Sequence, residues 1–550
     1  MCIYIRIPSV QAESLSLREK LQGPLPLVDH FLRALRLGPL LQQQITHPHY
    51  VAALELLVKS VLIEPNALYR IESWAQPYDP QLRPCQHLGD DAIGRALDRL
   101  FEADRASLLT ALVVQAVRTF DIQTSQIHND STSVKFSGAY THQKPNAVQL
   151  RRGFSKDHRP DLKQLIYSLS VSADGAVPVH FKAYAGNQAD DPTHWETWQC
   201  LCQILGHNDF LYVADCKLCA SETLLRLDRE HGRFITILPR NRAEVHAFAQ
   251  QAADCQVRWQ FLWSRRARRR YHRRERFESA QGLYQMDEGF RIHWFRSSEK
   301  RLRDAQDRQE RIALALQRLE GLNERRGRGP KTEPAIRRAA ENLLAQYRVA
   351  EWVHYQINLQ PSAQFIQTTR GRPSTQTTYK RVVRTIPVVS ATQDAAAITR
   401  AQTTDGTFPL VTNTDLSAVE VLKKYKYQPH LEKRHFLNKS VLEISPVFLK
   451  KNTRIEALMF IFFIAELVAA LMERTVRKNM ARRHIKAIPI LPEGRDSKTP
   501  SYAQILDTFA ARAKYELYEG KQLIKVFTQP LRQIEQTVLD LLDIHAAVYR

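Results

Sequence analysis

QIHNDSTSVKF at 126–136, IYSLSVS at 166–172, VPVHFKAY at 177–184, FLYVAD at 210–215, CKLCASETLLRL at 216–227 and FITILP at 234–239 follow one another between Gln126 and about Arg240. The first segment is rich in β-branched residues, which suit a pleated, half-buried surface. The next two flank Ala173-Asp174-Gly175, a turn signal, and read as a hairpin. A helical stretch from about Pro192 to Leu205 leads into FLYVAD, a short apolar run of the kind a buried strand needs. CKLCASETLLRL reads as the next helix and FITILP as the next strand. Three strands, helix, strand, helix, strand is the order of a mixed α/β layer, which excludes a sandwich or a helical bundle.

Outward from this core the pattern changes on both sides. The first 120 residues read as mainly helical, with Leu108, Leu109, Leu112, Val113 and Val117 forming a stripe between Asp104 and Thr119. LGDDAIGRALDRLF (88–101) has the form of one half of a helix-turn-helix, with Leu88 to Asp91 as turn and cap. The same pattern occurs in many helical pairs that never touch DNA. On the other side, residues 246–405 read as an insertion. It holds an arginine run, RRARRRYHRRER (Arg265 to Arg276), and a helical hairpin with Ile312, Leu316 and Leu319 on its first arm. Gly327, Gly329 and Pro330 mark the hairpin's turn, the second arm runs to about Tyr347, and a polar segment with RGRP (Arg370 to Pro373) follows. FPLVTN (408–413) resumes the strand-and-helix pattern, with helical segments at 417–424 and 429–441, an apolar helix at 453–474 and a final helical unit from about Tyr502. Five regions result: a helical region 1–120 expected to bind DNA ends, a first core part 121–245, the insertion 246–405, a second core part 406–488, and a C-terminal helical region 489–550 as a candidate for dimerisation.

Composition narrows the partner. The chain has 550 residues, and 79 Lys and Arg against 57 Asp and Glu give a net charge of +22. A cationic surface of this size favours a polyanion, because neutralising phosphates releases condensed counterions. Membrane is the competing partner, but the longest apolar run, Ala457 to Ala465, is closed by Glu456 and Glu466 and falls short of the roughly 20 residues of a span. The N-terminus, MCIYIRIPSV, lacks the features of a secretion signal, and an odd count of seven cysteines fits reduced thiols, so a cytoplasmic location is expected. Cys216-Lys-Leu-Cys219 invites a zinc reading, but a structural zinc needs a second pair and Cys200/Cys202 is a poor one. Buried apolar cysteine on a core helix is the expectation.

Phosphoryl transfer with two metal ions needs carboxylates from distant parts of the chain to converge. Hard Mg²⁺ prefers carboxylate oxygen. Asp130 lies in the first strand, and Asp215 stands where the apolar run FLYVA ends, at the carboxyl end of a strand where open α/β sheets place ligands. Glu432 lies on a helix of the resumed core, and Lys439, seven residues on, shares its face.

These residues resemble the DDE transposases of bacterial insertion sequences, specifically the insertion-sequence-four superfamily. The resemblance rests on HNDSTSV around Asp130, SKDHRPDLKQL (155–165), Asp174-Gly175, AGNQADD (185–191), LYVAD ending at Asp215, and VTNTDLSAVEVLKKYKYQPHLEKRHFLNK around Glu432. It spans roughly residues 85 to 475 around a variable insertion. The family signature near its Glu is Tyr, two residues, Arg, three residues, Glu, six residues, Lys; here those places hold Tyr425, Gln428, Glu432 and Lys439. Gln428 lacks the permanent charge of Arg, and Pro429 makes a helix start at that proline and places Tyr425 before it. The resemblance implies an RNase H-like mixed sheet with helices on both faces, interrupted by the insertion and flanked by helical terminal regions. It implies catalysis by Asp130, Asp215 and Glu432 holding two Mg²⁺ ions, with Mn²⁺ as a substitute, and DNA contacts from Tyr425, Gln428 and Lys439. The partners implied are the element's terminal inverted repeats and target DNA, joined without a covalent enzyme intermediate, with a homodimer holding two ends in a bacterial, nucleoid-associated setting. The rival readings are a related RNase H-fold nuclease and an inactive or domesticated DNA-binding regulator.

Further DNA contacts are expected from the basic segments. Arg265, Arg266, Arg268, Arg269 and Arg270 suit a DNA backbone, and Arg370 and Arg372 in RGRP suit a narrow A·T minor groove. Trp259 and Trp263 flank the arginine run; core packing is their default, and the resemblance offers holding a flipped base.

Overall fold

The structure, a computed structural model, describes residues 15–83, 89–153, 159–188, 193–265, 274–324, 332–440 and 449–549, with backbone alone for residues 90 and 436–440. It divides into two compact units, Met1–Thr236 with Lys423–Arg550, and Ile237–Leu422.

The first unit opens with β1 (Leu15–Leu21), followed by α1 (Leu25–Ala34), α2 (Leu37–Gln44), α3 (Pro48–Ile63), α4 (Ile71–Ala75), α5 (Asp90–Glu102) and α6 (Arg105–Phe120). Asp104 caps α6 by accepting the Ser107 N–H at 3.1 Å. α5, the helix with helix-turn-helix character, packs on α3 and buries Ile93, Ala96, Leu97 and Leu100 completely. Leu88, assigned to its turn, lies outside the described residues.

β2 (Gln126–Phe136), β3 (Lys163–Ser172), β4 (Pro178–Ala185), α7 (Thr193–Leu205), β5 (Leu211–Val213), α8 (Ser221–Arg229) and β6 (Arg233–Ile237) then build the core sheet in the order β4-β3-β2-β5-β6. β2, β3 and β4 are antiparallel neighbours; β5 runs parallel to β2, and β6 parallel to β5. Three antiparallel strands followed by two reached through helical crossovers form an RNase H-like mixed sheet flanked by helices. The β3–β4 turn depends on Gly175 at φ +85°, where an added Cβ would meet the Arg474 side chain at 2.8 Å. CKLCASETLLRL is not one helix. Asp215 accepts the Lys217 N–H at 3.0 Å and tightens Cys216–Leu218 into a single 3₁₀ turn before α8 begins.

The second unit contains α9 (Ala243–Ala253), β7 (Trp259–Arg265), β8 (Glu275–Ala280), β9 (Tyr284–Gln285), β10 (Arg291–Ser297), α10 (Ser298–Gly321), α11 (Glu333–Tyr347), β11 (Val353–Gln367), β12 (Tyr379–Gln393), α12 (Ala395–Gln402) and β13 (Thr407–Thr412), and α13 (Ala418–Tyr425) begins in it. β13, β10, β8 and β7 pair antiparallel in that order, and β9 pairs with β10. The segment expected to be merely polar is instead a two-stranded ribbon, β11–β12, because β-branched and apolar residues at alternate positions dock its base on α10 and α11.

The chain returns to the first unit with α14 (Pro429–Ser440), α15 (Asn452–Arg482), α16 (Tyr502–Asp507), β14 (Ala513–Glu519), β15 (Gln522–Thr528) and α17 (Gln533–Leu542). α15 is long and apolar enough by composition to cross a membrane, yet 94% of its apolar window is buried inside the protein. Its Phe460 and Phe463 rings lie 5.6 and 4.8 Å from Phe181 of β4, and each such buried ring contributes about 1.5–3 kcal/mol. The terminal regions are not wholly helical, contrary to expectation. β14 and β15 form a hairpin that turns at Gly520 (φ +59°), and β1 adds to it from the other end of the chain. Tyr, Leu, Val and Phe at strand positions suit that pairing.

Candidate active site

Register places the first two acids. His128 of β2 pairs with Val213 of β5 in the parallel ladder. Asp130 and Asp215 each stand two residues further on, so neighbouring strands, about 4.8 Å apart, deliver them at equivalent positions. The Asp130 Oδ1 accepts the Ser131 N–H at 2.8 Å. Each acid also faces a buried imidazole: His435 Nε2 is 3.8 Å from Asp130 Oδ2, and His194 Nε2 is 3.8 Å from Asp215 Oδ1. The other ring nitrogen of His194 lies 3.1 Å from the Tyr212 hydroxyl, which fixes the ring.

The third acid arrives on α14, and buried polar contacts hold that helix against the sheet. Arg434 donates to the carbonyls of Ala176 and Gly175 at 3.0 and 3.1 Å and pairs with Glu473 of α15 at 3.0 Å. At the N-terminal end, Gln428 closes a chain of contacts. The Gln126 amide donates to His128 Nε2 at 2.7 Å, His128 Nδ1 lies 2.7 Å from the Gln428 carbonyl oxygen, and the Gln428 amide donates to the Asn129 carbonyl at 3.1 Å. Burial lowers the His128 pKa to about 4, so the ring is neutral, accepts at one nitrogen and donates at the other. An arginine at 428 has no acceptor for that N–H; the glutamine supplies both the acceptor and the donor. Gln428, just before α14, and Glu432 and His435 within it follow one another at four- and three-residue steps and so lie on one side of the helix. Glu432 is therefore bracketed by residues that reach Asn129 and Asp130.

Tyr425, at the end of α13, joins the three acids electrostatically. Burial pushes its hydroxyl pKa well up, and the negative charges of Asp215, Glu432 and Asp130 raise it further. One phenol thus lies in the field of carboxylates drawn from positions 130, 215 and 432. Asp215 and Asp130 side chains are 39% and 23% exposed, so both present oxygen to solvent. The donor set is hard oxygen and suits Mg²⁺ or Mn²⁺. Among the described residues, no group of three or more His, Cys, Asp or Glu is drawn together tightly enough to ligate an ion.

The remaining expected residues lie elsewhere. The α14 backbone includes Lys439, whose side chain lies outside the described residues, as do Arg266, Arg268, Arg269 and Arg270. Arg265 Nε donates to the buried Glu275 at 2.7 Å and so has its charge matched inside the fold. Trp263 stacks on Phe277 at 5.4 Å, and Trp259 lies 6.0 Å from Phe248 with Arg296 over its ring. Arg370 and Arg372 are exposed at the tip of the β11–β12 ribbon. Sequence reading missed His194, His435, Arg434 and Asn129. His435 was detectable as the residue three beyond Glu432 on the same helix face; His194 had no such signal.

No family model and no curated protein matches this chain. Among solved structures it is similar to a piggyBac transposase synaptic complex with hairpin DNA, at 12% sequence identity and a TM-score of 0.24. The overlap covers 46% of this chain and 52% of that one, so the chain spans about half the length of that protein. A likeness this slight decides nothing about activity.

Proposed function

We propose that the chain is a metal-dependent DNA transposase that cuts at the ends of its element and joins the freed 3′-hydroxyls to target DNA. The observation behind this reading is that neighbouring strands bring Asp130 and Asp215 to equivalent positions while buried contacts hold the helix carrying Glu432 against the same sheet. Carboxylates do not gather without reason; each raises the electrostatic cost of the next until cations relieve it. In this reading the three acids hold two Mg²⁺ ions, with Mn²⁺ able to replace them. Such ions, when bound, polarise the attacking oxygen and neutralise charge on the leaving one.

The chain's own residues divide the remaining work. His194 and His435 orient the Asp215 and Asp130 carboxylates. Tyr425, kept protonated by burial and the surrounding negative charge, donates a hydrogen bond to a DNA phosphate. Lys439, the last residue of the resembled signature, is assigned a DNA-phosphate contact. Gln428 positions α14 and leaves phosphate contact to its neighbours. The resemblance in sequence adds the finer expectations: terminal inverted repeats as the sites bound, a homodimer bridging two ends, and action in the bacterial cytoplasm at the nucleoid.

The test is Mg²⁺-dependent cleavage of supercoiled plasmid carrying the element's ends, comparing wild type with Asp130→Ala, Asp215→Ala and Glu432→Ala. Wild type should cut at the ends while all three variants bind and leave the plasmid intact. Tight binding without cutting in either Mg²⁺ or Mn²⁺ would replace this reading with that of a DNA-binding regulator.

A further inference from the structure

The second unit carries a feature that the catalytic reading does not use. β11 and β12 pair over fifteen residues each, from Val353 opposite Gln393 to Gln367 opposite Tyr379. At about 3.4 Å per residue the ribbon is roughly 50 Å long. From 353 to 393 the sequence has no Asp or Glu and five Lys or Arg: Arg370, Arg372, Lys380, Arg381 and Arg384.

Alternation separates two faces. One face begins with Val353 and Val389, which are buried in a core with Ile312, Leu319 and Leu344 of α10 and α11. That packing anchors the ribbon at its base. The opposite face presents Gln356, Asn358, Gln360 and Gln364 along β11, and Lys380 and Arg384 along β12, all exposed, interspersed with Ile366, Val382, Ile386 and Val388. Carboxamides with cations, and no carboxylate, form a surface matched to a polyanion that also offers hydrogen-bonding edges. Two strands about 4.8 Å apart, with side chains, fit a major groove about 12 Å wide and do not fit a minor groove about 6 Å wide.

We infer that the polar face of the β11–β12 ribbon lies in the major groove of duplex DNA. Lys380 and Arg384 contact the bordering phosphates, and the carboxamides of Gln356, Asn358, Gln360 and Gln364 face base edges. The basic tip, Arg370 and Arg372, contacts backbone further along. This rests on the DNA reading above but not on catalysis, so the two can fail separately.

The experiment measures binding of a fluorescent random-sequence duplex, about 30 base pairs long, across a salt series in EDTA. The full chain and Lys380→Ala/Arg384→Ala are compared, with thermal unfolding confirming that the variant is folded. The variant should bind about tenfold more weakly near 100 mM salt, and the slope of log affinity against log salt should shrink by about 2, one counterion per phosphate contact. An unchanged affinity and slope overturns the inference. So does a ribbon that instead joins two copies, seen if Phe365→Ser/Val383→Ser halves the mass in light scattering while Lys380→Ala/Arg384→Ala binds DNA as wild type. EDTA removes cleavage from the measurement, so a catalytically dead protein would still report on the ribbon.

Discussion

The carboxylate site of the first unit and the ribbon of the second solve opposite problems. Around Glu432, burial does the positioning. His128 is fully buried, Gln428 and Arg434 are nearly so, and the contacts that tie them to the sheet join residues about 300 or about 260 positions apart. Along the ribbon, pairing is local and the polar side chains are exposed, so beyond its buried base position comes from backbone register. Buried networks are cooperative, and removing one member strands another; exposed cations act nearly independently. Single substitutions near Glu432 should therefore have large, coupled effects, and those on the ribbon small, additive ones.

The largest effect is expected from the acids. Asp130→Ala, Asp215→Ala or Glu432→Ala should each lower end cleavage by about a thousandfold or more, roughly 4 kcal/mol of barrier, with DNA affinity little changed. A loss below tenfold for any one would remove that residue from the site. Next comes the helix anchor. Arg434→Leu removes the closer of the two arginines paired with Glu473 and the donor to two carbonyls, and should lower unfolding stability by about 3 kcal/mol in urea titration. A change under 1 kcal/mol would mean that α14 is held by something else.

Acid should weaken the first unit in a defined window. Burial lowers the pKa of both His128 and His180 from 6.5 to about 4. The unfolded chain binds the extra protons, so the stabilisation is complete above pH 6.5 and is lost as pH falls toward about 4. The loss should be of order 2 kcal/mol per histidine by about pH 5. His180→Leu should recover about half of the drop, and an unchanged pH profile would contradict the neutral buried ring. Smaller again is Gln428→Arg, which puts the arginine of the resembled signature at 428 but leaves the His128 Nδ1–H without its acceptor; about 1–3 kcal/mol of stability should go. The ribbon pair Lys380→Ala/Arg384→Ala, at about tenfold in binding, is the smallest.

Much of the first unit was legible because its signals are local. QIHNDSTSVKF predicted β2 residue for residue, the Ala173-Asp174-Gly175 turn predicted the hairpin, and Pro429 predicted the start of α14. What was not legible depended on partners distant in sequence. β1 is a strand because β14 lies beside it, nearly 500 residues away, and LSLREKL alone gives no reason to extend. The β11–β12 ribbon was obscured by its own polar face, whose Gln, Asn and Ser residues read as loop until the buried Val353 and Val389 are seen holding it to α10 and α11. The acids' positions were legible one by one, Asp130 within β2, Asp215 just past β5 and Glu432 on α14. The histidines beside them were not, because a histidine's role is set by what it faces.

The most direct test of shared occupancy replaces Mg²⁺ with Fe²⁺ and ascorbate and maps where locally generated radicals cut the protein chain. A common site should give cuts clustered near residues 130, 215 and 432, all lost together in Asp130→Ala. Cuts at only one of these positions, or cuts that persist unchanged in Asp130→Ala, would show that the three acids do not form one site.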